Sequence, residues 1–212
     1  MATHSFFGFS FSLLGALALT AACSGPKTST TTVGGGGGMG VEPGPKPDRA
    51  AGLTAWETVR AVFQHARCQN CHPADDVPLQ GDEGRPHNQN VRRGPKGEGL
   101  VGAECTTCHG AANPPASYGG HTPPGNVKGW HMPPPEMKLV FVGMSSRALC
   151  EQTKDPARNG GKDMPALRHH LDDPLVVWGW TPGFGRKPVP TPRETLLAAW
   201  ETWAAAGAPC PE

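Results

Sequence analysis

Apolar positions follow a helical period in two stretches of this chain, one on each side of a long loop-rich middle. In the first, Thr54-Ala55-Trp56-Glu57 has the form of a capping box, and Trp56, Val59, Val62, Phe63 and Ala66 then recur at helical spacing. This pattern predicts a helix that begins at Thr54 and runs straight into Cys68. In the second, Thr191-Pro192-Arg193-Glu194 is another capping box with proline at the first helical position. Leu196, Leu197, Trp200, Trp203 and Ala204 continue that helix, and Gly207 and Pro209 end it. Shorter helices are predicted over about residues 146–154 and 164–171. Residues 139–142 are the best of a few weak strand candidates, and residues 73–104 are polar and rich in Gly and Pro. The implied fold class is mainly α with extensive loops.

The apolar run 6–22 is short for a spanning helix and ends in the small pair Ala21-Ala22 before Cys23. It reads as a signal peptide covering residues 1–22. Leu19-Thr20-Ala21-Ala22-Cys23 resembles the lipobox of bacterial lipoproteins, which would make Cys23 the lipidated residue. The match is imperfect, since Leu19 stands one place early and the first five residues hold no Lys or Arg. An uncleaved anchor, or an ordinary secretory signal cut near Ala22, are the alternatives. Residues 23–52 contain a Ser/Thr run, five glycines at 34–38 and prolines at 43, 45 and 47. They read as a flexible tether whose mean span is about 30 Å. The expectation is an exported protein of the periplasm or cell envelope, lipid-anchored, with residues 53–212 as its folded domain.

Composition then poses a problem for that domain. The chain has 34 Leu, Val and Phe residues and no Ile, against 29 Gly and 24 Pro. This is a thin supply for a core. A net charge of +1 with 17% charged residues excludes simple polyelectrolyte disorder. No basic cluster exceeds the Arg92-Arg93 pair, which argues against nucleic-acid binding. Part of the stability must therefore come from disulfides, a metal or a cofactor.

The cysteines point to which. Cys68-Gln69-Asn70-Cys71-His72 and Cys105-Thr106-Thr107-Cys108-His109 are two copies of Cys-x-x-Cys-His, the attachment signature of c-type haem. Two thiols at that spacing reach the two vinyl groups of a porphyrin, while the adjacent His72 or His109 ligates the iron. A four-cysteine zinc knuckle leaves both histidines unexplained, and a redox Cys-x-x-Cys reading needs a βαβ context the pattern lacks. The expected cofactors are thus two covalently attached haem c groups. The second motif has no helix of its own ahead of it, so a single compact dihaem cytochrome c domain is expected to hold both. Cys150 and Cys210 remain, and an oxidising compartment favours their pairing as a disulfide.

Distal iron ligands are harder to assign. His87 lies in the loop Arg85-Pro86-His87-Asn88, where no core needs an imidazole, and is the favoured distal histidine. Met137 follows a Pro-rich loop, with His131 and Met132 as rivals, and of His169 and His170 on a short helix one can face inward; His169 stands as the candidate. His65 and His121 rank lower. Arg92, Arg93 and Lys96 can neutralise haem propionates, and Trp130, Trp178 and Trp180 can pack on porphyrin faces with an indole N–H reaching a carboxylate. A solvated loop and an ordinary aromatic core explain the same residues nearly as well.

Taken with the two motifs, residues 85–94, Lys154-Asp155-Pro156-Ala157-Arg158-Asn159-Gly160-Gly161 and Trp178-Gly179-Trp180-Thr181-Pro182-Gly183 resemble a group of small bacterial dihaem cytochromes, some labelled as subunits of an isoquinoline oxidoreductase. The resemblance covers most of residues 55–211 and implies an electron-transfer partner rather than catalysis by this chain. The expected role is single-electron transfer with a redox partner protein such as a dehydrogenase or another cytochrome. A small dihaem peroxidase-like enzyme with one open haem, or a haem-based sensor, are the rivals.

Overall fold

The structure is a computed structural model that describes residues 48–212. The expected signal peptide, Cys23 and the tether up to residue 47 lie outside the described residues. Helix α1 spans Arg49–Phe63 and starts earlier than the pattern indicates. Asp48 is its N-cap, accepting from Ala51 N–H at 3.0 Å, whereas Thr54 sits inside the helix and donates its hydroxyl to the Ala50 carbonyl at 3.1 Å. The last residues assigned to the tether are therefore helical, because Asp48 offers the orphan N–H groups a carboxylate nearly two turns sooner. Gly52 lets α1 pack tightly on the C-terminal segment: a Cβ there would lie 2.5 Å from Cβ of Ala206.

Nor does α1 run straight into Cys68. It stops at Phe63, His65 turns to an extended backbone, and the imidazole Nδ1 of His65 accepts from Arg67 N–H at 3.2 Å to start α2, Ala66–Gln69. His65 is thus accounted for as a cap. Helix α3 spans Ser146–Lys154, capped by Ser145, and α4 spans Met164–His170, capped by Asp163. The four-residue α5, Pro174–Val177, and the long α6, Arg193–Ala205, complete six α-helices among the described residues. No side chain caps α6, so Thr191 does not act as its pattern implies, but Gly207 follows the helix at φ 78° as a terminating glycine should.

Residues 139–142 are not a strand, since Leu139 takes a left-handed backbone at φ 47°. The strands lie instead in the Gly-rich stretch between the motifs. Leu79–Gln80 (β1) pairs antiparallel with Arg85–Pro86 (β2), and Gly99–Leu100 (β3) with Ala103–Glu104 (β4). Glycines in the left-handed region, such as Gly102 at φ 81°, make such tight reversals inexpensive.

The core joins α1 to α6, with α3 and α4 against them. Trp56, Val59, Val62, Phe63, Leu149, Leu167, Leu196, Trp200 and Trp203 are buried in one cluster. Trp56 and Trp203 lie 4.8 Å apart, and their indole N–H groups reach the Ser146 hydroxyl and the Pro209 carbonyl, both at 2.9 Å. Cys150 and Cys210 are joined by a disulfide with Cα atoms 5.6 Å apart. Between Cys71 and Val140, by contrast, Met132 is the one large apolar side chain fully buried among the described residues.

Arg93 organises that poor segment. Its guanidinium is fully covered and donates to the carbonyls of Pro133 at 2.5 Å, Asp75 at 2.9 Å and Pro73 at 3.3 Å, and to the Asp76 carboxylate at 3.2 Å. Arg93 is therefore not free for a propionate, as its sequence context suggested, and Arg92 and Lys96 are exposed. Replacing Arg93 with Met leaves the three carbonyls without this donor, while Asp76 keeps Lys138 at 2.9 Å, and we expect it to lower the stability of the cofactor-loaded protein by about 3 kcal/mol, read as a lower denaturant midpoint.

Candidate functional site

Helix α2 and the turn after it build the first motif. Cys71 N–H donates to the Cys68 carbonyl at 3.3 Å and His72 N–H to the Gln69 carbonyl at 3.0 Å, so the two thiols stand one turn apart on the same face. The His72 Nδ1 lies 2.8 Å from the Leu139 carbonyl. A carbonyl only accepts, so this nitrogen carries the proton and Nε2 keeps its lone pair. Burial holds the imidazole neutral, with its pKa down at about 4, and pushes the Cys68 and Cys71 thiols up to about 12 and about 11. These are protonated thiols, not the activated thiolates of a redox Cys-x-x-Cys.

The second motif reaches a similar arrangement from a different scaffold. The β3–β4 hairpin delivers Cys105 into a short 3-10 turn, Cys105–Thr107, and His109 N–H donates to the Cys105 carbonyl at 3.0 Å. The His109 Nδ1 lies 2.7 Å from the Pro124 carbonyl, which leaves Nε2 unprotonated here too. Burial lowers its pKa below the usual imidazole value. Among the described residues no set of three or more His, Cys, Asp or Glu is arranged to hold a metal ion.

The two motifs are neighbours. A charge on Cys105 contributes to the rise at Cys71, second to burial. A chain of side chains also links them: Arg67, adjacent to Cys68, lies 5.9 Å from the Trp178 ring, Trp178 lies 4.8 Å from Trp130, and Trp130 lies 4.9 Å from His109.

His87 stands beside His109 with ring centroids 6.1 Å apart, and its Nδ1 faces the Asn88 carbonyl at 2.8 Å. Met137 ends a 3-10 turn, Pro135–Met137, two residues before the carbonyl that engages Nδ1 of His72. Its segment thus backs His72 on the edge away from Nε2. His169 lies on α4. It is exposed, while His170 is half-buried and close enough for its charge to act on His72. The sequence carries the signal for this, because Leu167 and Leu171 mark the inward face of α4 and His170 borders that stripe while His169 opposes it.

The residues present suit a large, partly apolar group with carboxylates. Trp178 and Trp180 spend their indole N–H groups on Asn113 at 3.0 Å and the Thr191 carbonyl at 2.8 Å, but the buried Nε1 of Trp130, beside His109, has no partner. The exposed large apolar side chains among the described residues are Leu100 and Val101 on the hairpin before Cys105, Tyr118, Val127 just after the loop that holds His109, and Phe184, which adjoins Gly185 packed on Gly120.

Residues 92–178 match the family model described as cytochrome c oxidase, cbb3-type, subunit III. This stretch contains the second motif and begins after the first, and it supports a c-type cytochrome, a class that binds haem c covalently and uses it for electron transfer. No curated protein matches the chain, and no solved structure does.

Proposed function

We propose that this chain is a dihaem c-type cytochrome that passes single electrons between protein partners outside the cytoplasm, tethered through a lipid on Cys23. The observation that carries the reading is the mounting of both motif histidines, each with Nδ1 on a backbone carbonyl and Nε2 available, next to two thiols in register. Cys68, Cys71 and His72 would hold one haem, and Cys105, Cys108 and His109 the other. Each haem, when bound, supplies a one-electron iron couple. The protein's share is ligation, exclusion of water and docking. The nearly neutral chain and the Gly- and Pro-rich loops suit a transient partner such as a dehydrogenase or another cytochrome better than a nucleic acid.

His87 would be the second histidine holding the second haem in this reading, since it stands beside His109 with ring centroids 6.1 Å apart and planes 61° from parallel. At the first haem His169, or its half-buried neighbour His170, would serve. Visible spectra of the reduced protein with and without carbon monoxide test this. The wild type should show two closed low-spin haems, and His87→Ala should bind carbon monoxide at half of its haems. Rapid binding in the unaltered protein would favour a peroxidase-like or sensing role instead.

A further inference from the structure

Residues 139–141 are held more firmly than a connecting loop requires. Leu139 adopts φ 47°, a left-handed conformation that a non-glycine residue keeps only where its surroundings enforce it. Its carbonyl receives the His72 Nδ1–H at 2.8 Å, the buried Gln152 of α3 donates to the Val140 carbonyl, and Phe141 N–H donates to the carbonyl of His72 itself at 2.9 Å. The Phe141 ring then lies on the His72 imidazole, centroids 4.1 Å apart and planes 16° from parallel. Behind it Phe63 of α1 lies 4.7 Å away with planes 3° apart. Three flat rings thus form a stack rooted in the main core, with the imidazole as its outer member.

We propose that Phe141 is a positioning residue that fixes the rotation of the His72 imidazole about its bond to the group bound there; this rests on the dihaem reading. The hydrogen bond to Leu139 restrains one edge of the ring, and the flat face of Phe141 blocks rotation out of plane. His109 has no equivalent, since Trp130 lies 4.9 Å away and tilted by 41°. The effect therefore belongs to one haem, and the other serves as an internal control.

The test uses the haem-loaded protein and its Phe141→Leu and Phe141→Tyr variants. Ligand-plane orientation is read from the ferric low-spin electron paramagnetic resonance spectrum. In Phe141→Leu one of the two low-spin signals should shift or broaden in its g values while the other stays, and Phe141→Tyr, which keeps a flat face, should restore the wild-type signal. Both signals at wild-type g values in Phe141→Leu would overturn the proposal. Should that variant fail to accumulate, the reduced wild-type protein decides: nuclear Overhauser contacts between the Phe141 and His72 ring protons are expected, and their absence overturns it. The haem count on the same samples separates the failures. Fewer than two haems per chain overturns the reading beneath the proposal, while two haems with unaltered signals overturn the proposal alone.

Discussion

Protein made without haem attachment, as in a variant with Cys68, Cys71, Cys105 and Cys108 all changed to Ala, shows no protection of residues 73–138 against amide hydrogen exchange and no cooperative melt spanning the domain. The reason is the uneven placement of its apolar side chains. Those of α1, α3, α4 and α6 form one cluster, whereas residues 73–138 bury Met132 alone among their large apolar side chains. Ordering each residue costs about 1–2 kcal/mol of backbone entropy, and two short hairpins with the Arg93 ties offset little of that over so long a segment. Two covalently held porphyrins would supply the missing apolar surface. Native-like protection of residues 73–138 in the haem-free chain would show that the segment orders itself.

The second large effect comes from the disulfide. Changing Cys150 and Cys210 together to Ala should lower the stability of the haem-loaded protein by about 4 kcal/mol, as expected for opening a loop of this length, the two cysteines being 60 residues apart. The bridge secures the segment after α6, where Lys154 donates to the Ala208 carbonyl at 2.7 Å and the Trp203 indole to that of Pro209. Opening it should therefore loosen the packing of α6 on α1 before anything near the motifs. A denaturant midpoint equal to that of the wild type would mean that packing alone holds this end.

Much of the helical half was legible because local signals and packing agree there. The span Ser146–Lys154 and the Trp200 and Trp203 positions of α6 follow directly from spacing. Helix starts were less legible, since Thr54 and Thr191 have the right neighbours for a cap yet Asp48 and Pro192 stand at the boundaries. Periodicity has no means of showing that the chain breaks at His65, because the break depends on a side chain capping its own backbone.

The candidate site divides similarly. Spacing alone identifies the thiols and motif histidines, since their chemistry is local. Their second partners, the Leu139 and Pro124 carbonyls, come from 67 and 15 residues away and leave no trace in composition. Arg93 shows the opposite failure, because a cation next to a cofactor motif looks available until its burial against four acceptors is seen. Loop context singles out His87, which stands beside His109, and the Leu167–Leu171 stripe marks His170 rather than His169 as the half-buried histidine of α4.

The number of covalent haems on one chain is read by a pyridine haemochrome assay on protein matured in a host able to attach haem c. Two haem c groups per polypeptide are expected, falling to one when Cys68 and Cys71, or Cys105 and Cys108, are replaced by Ala. A single haem on the unaltered chain, or none, would overturn the dihaem reading.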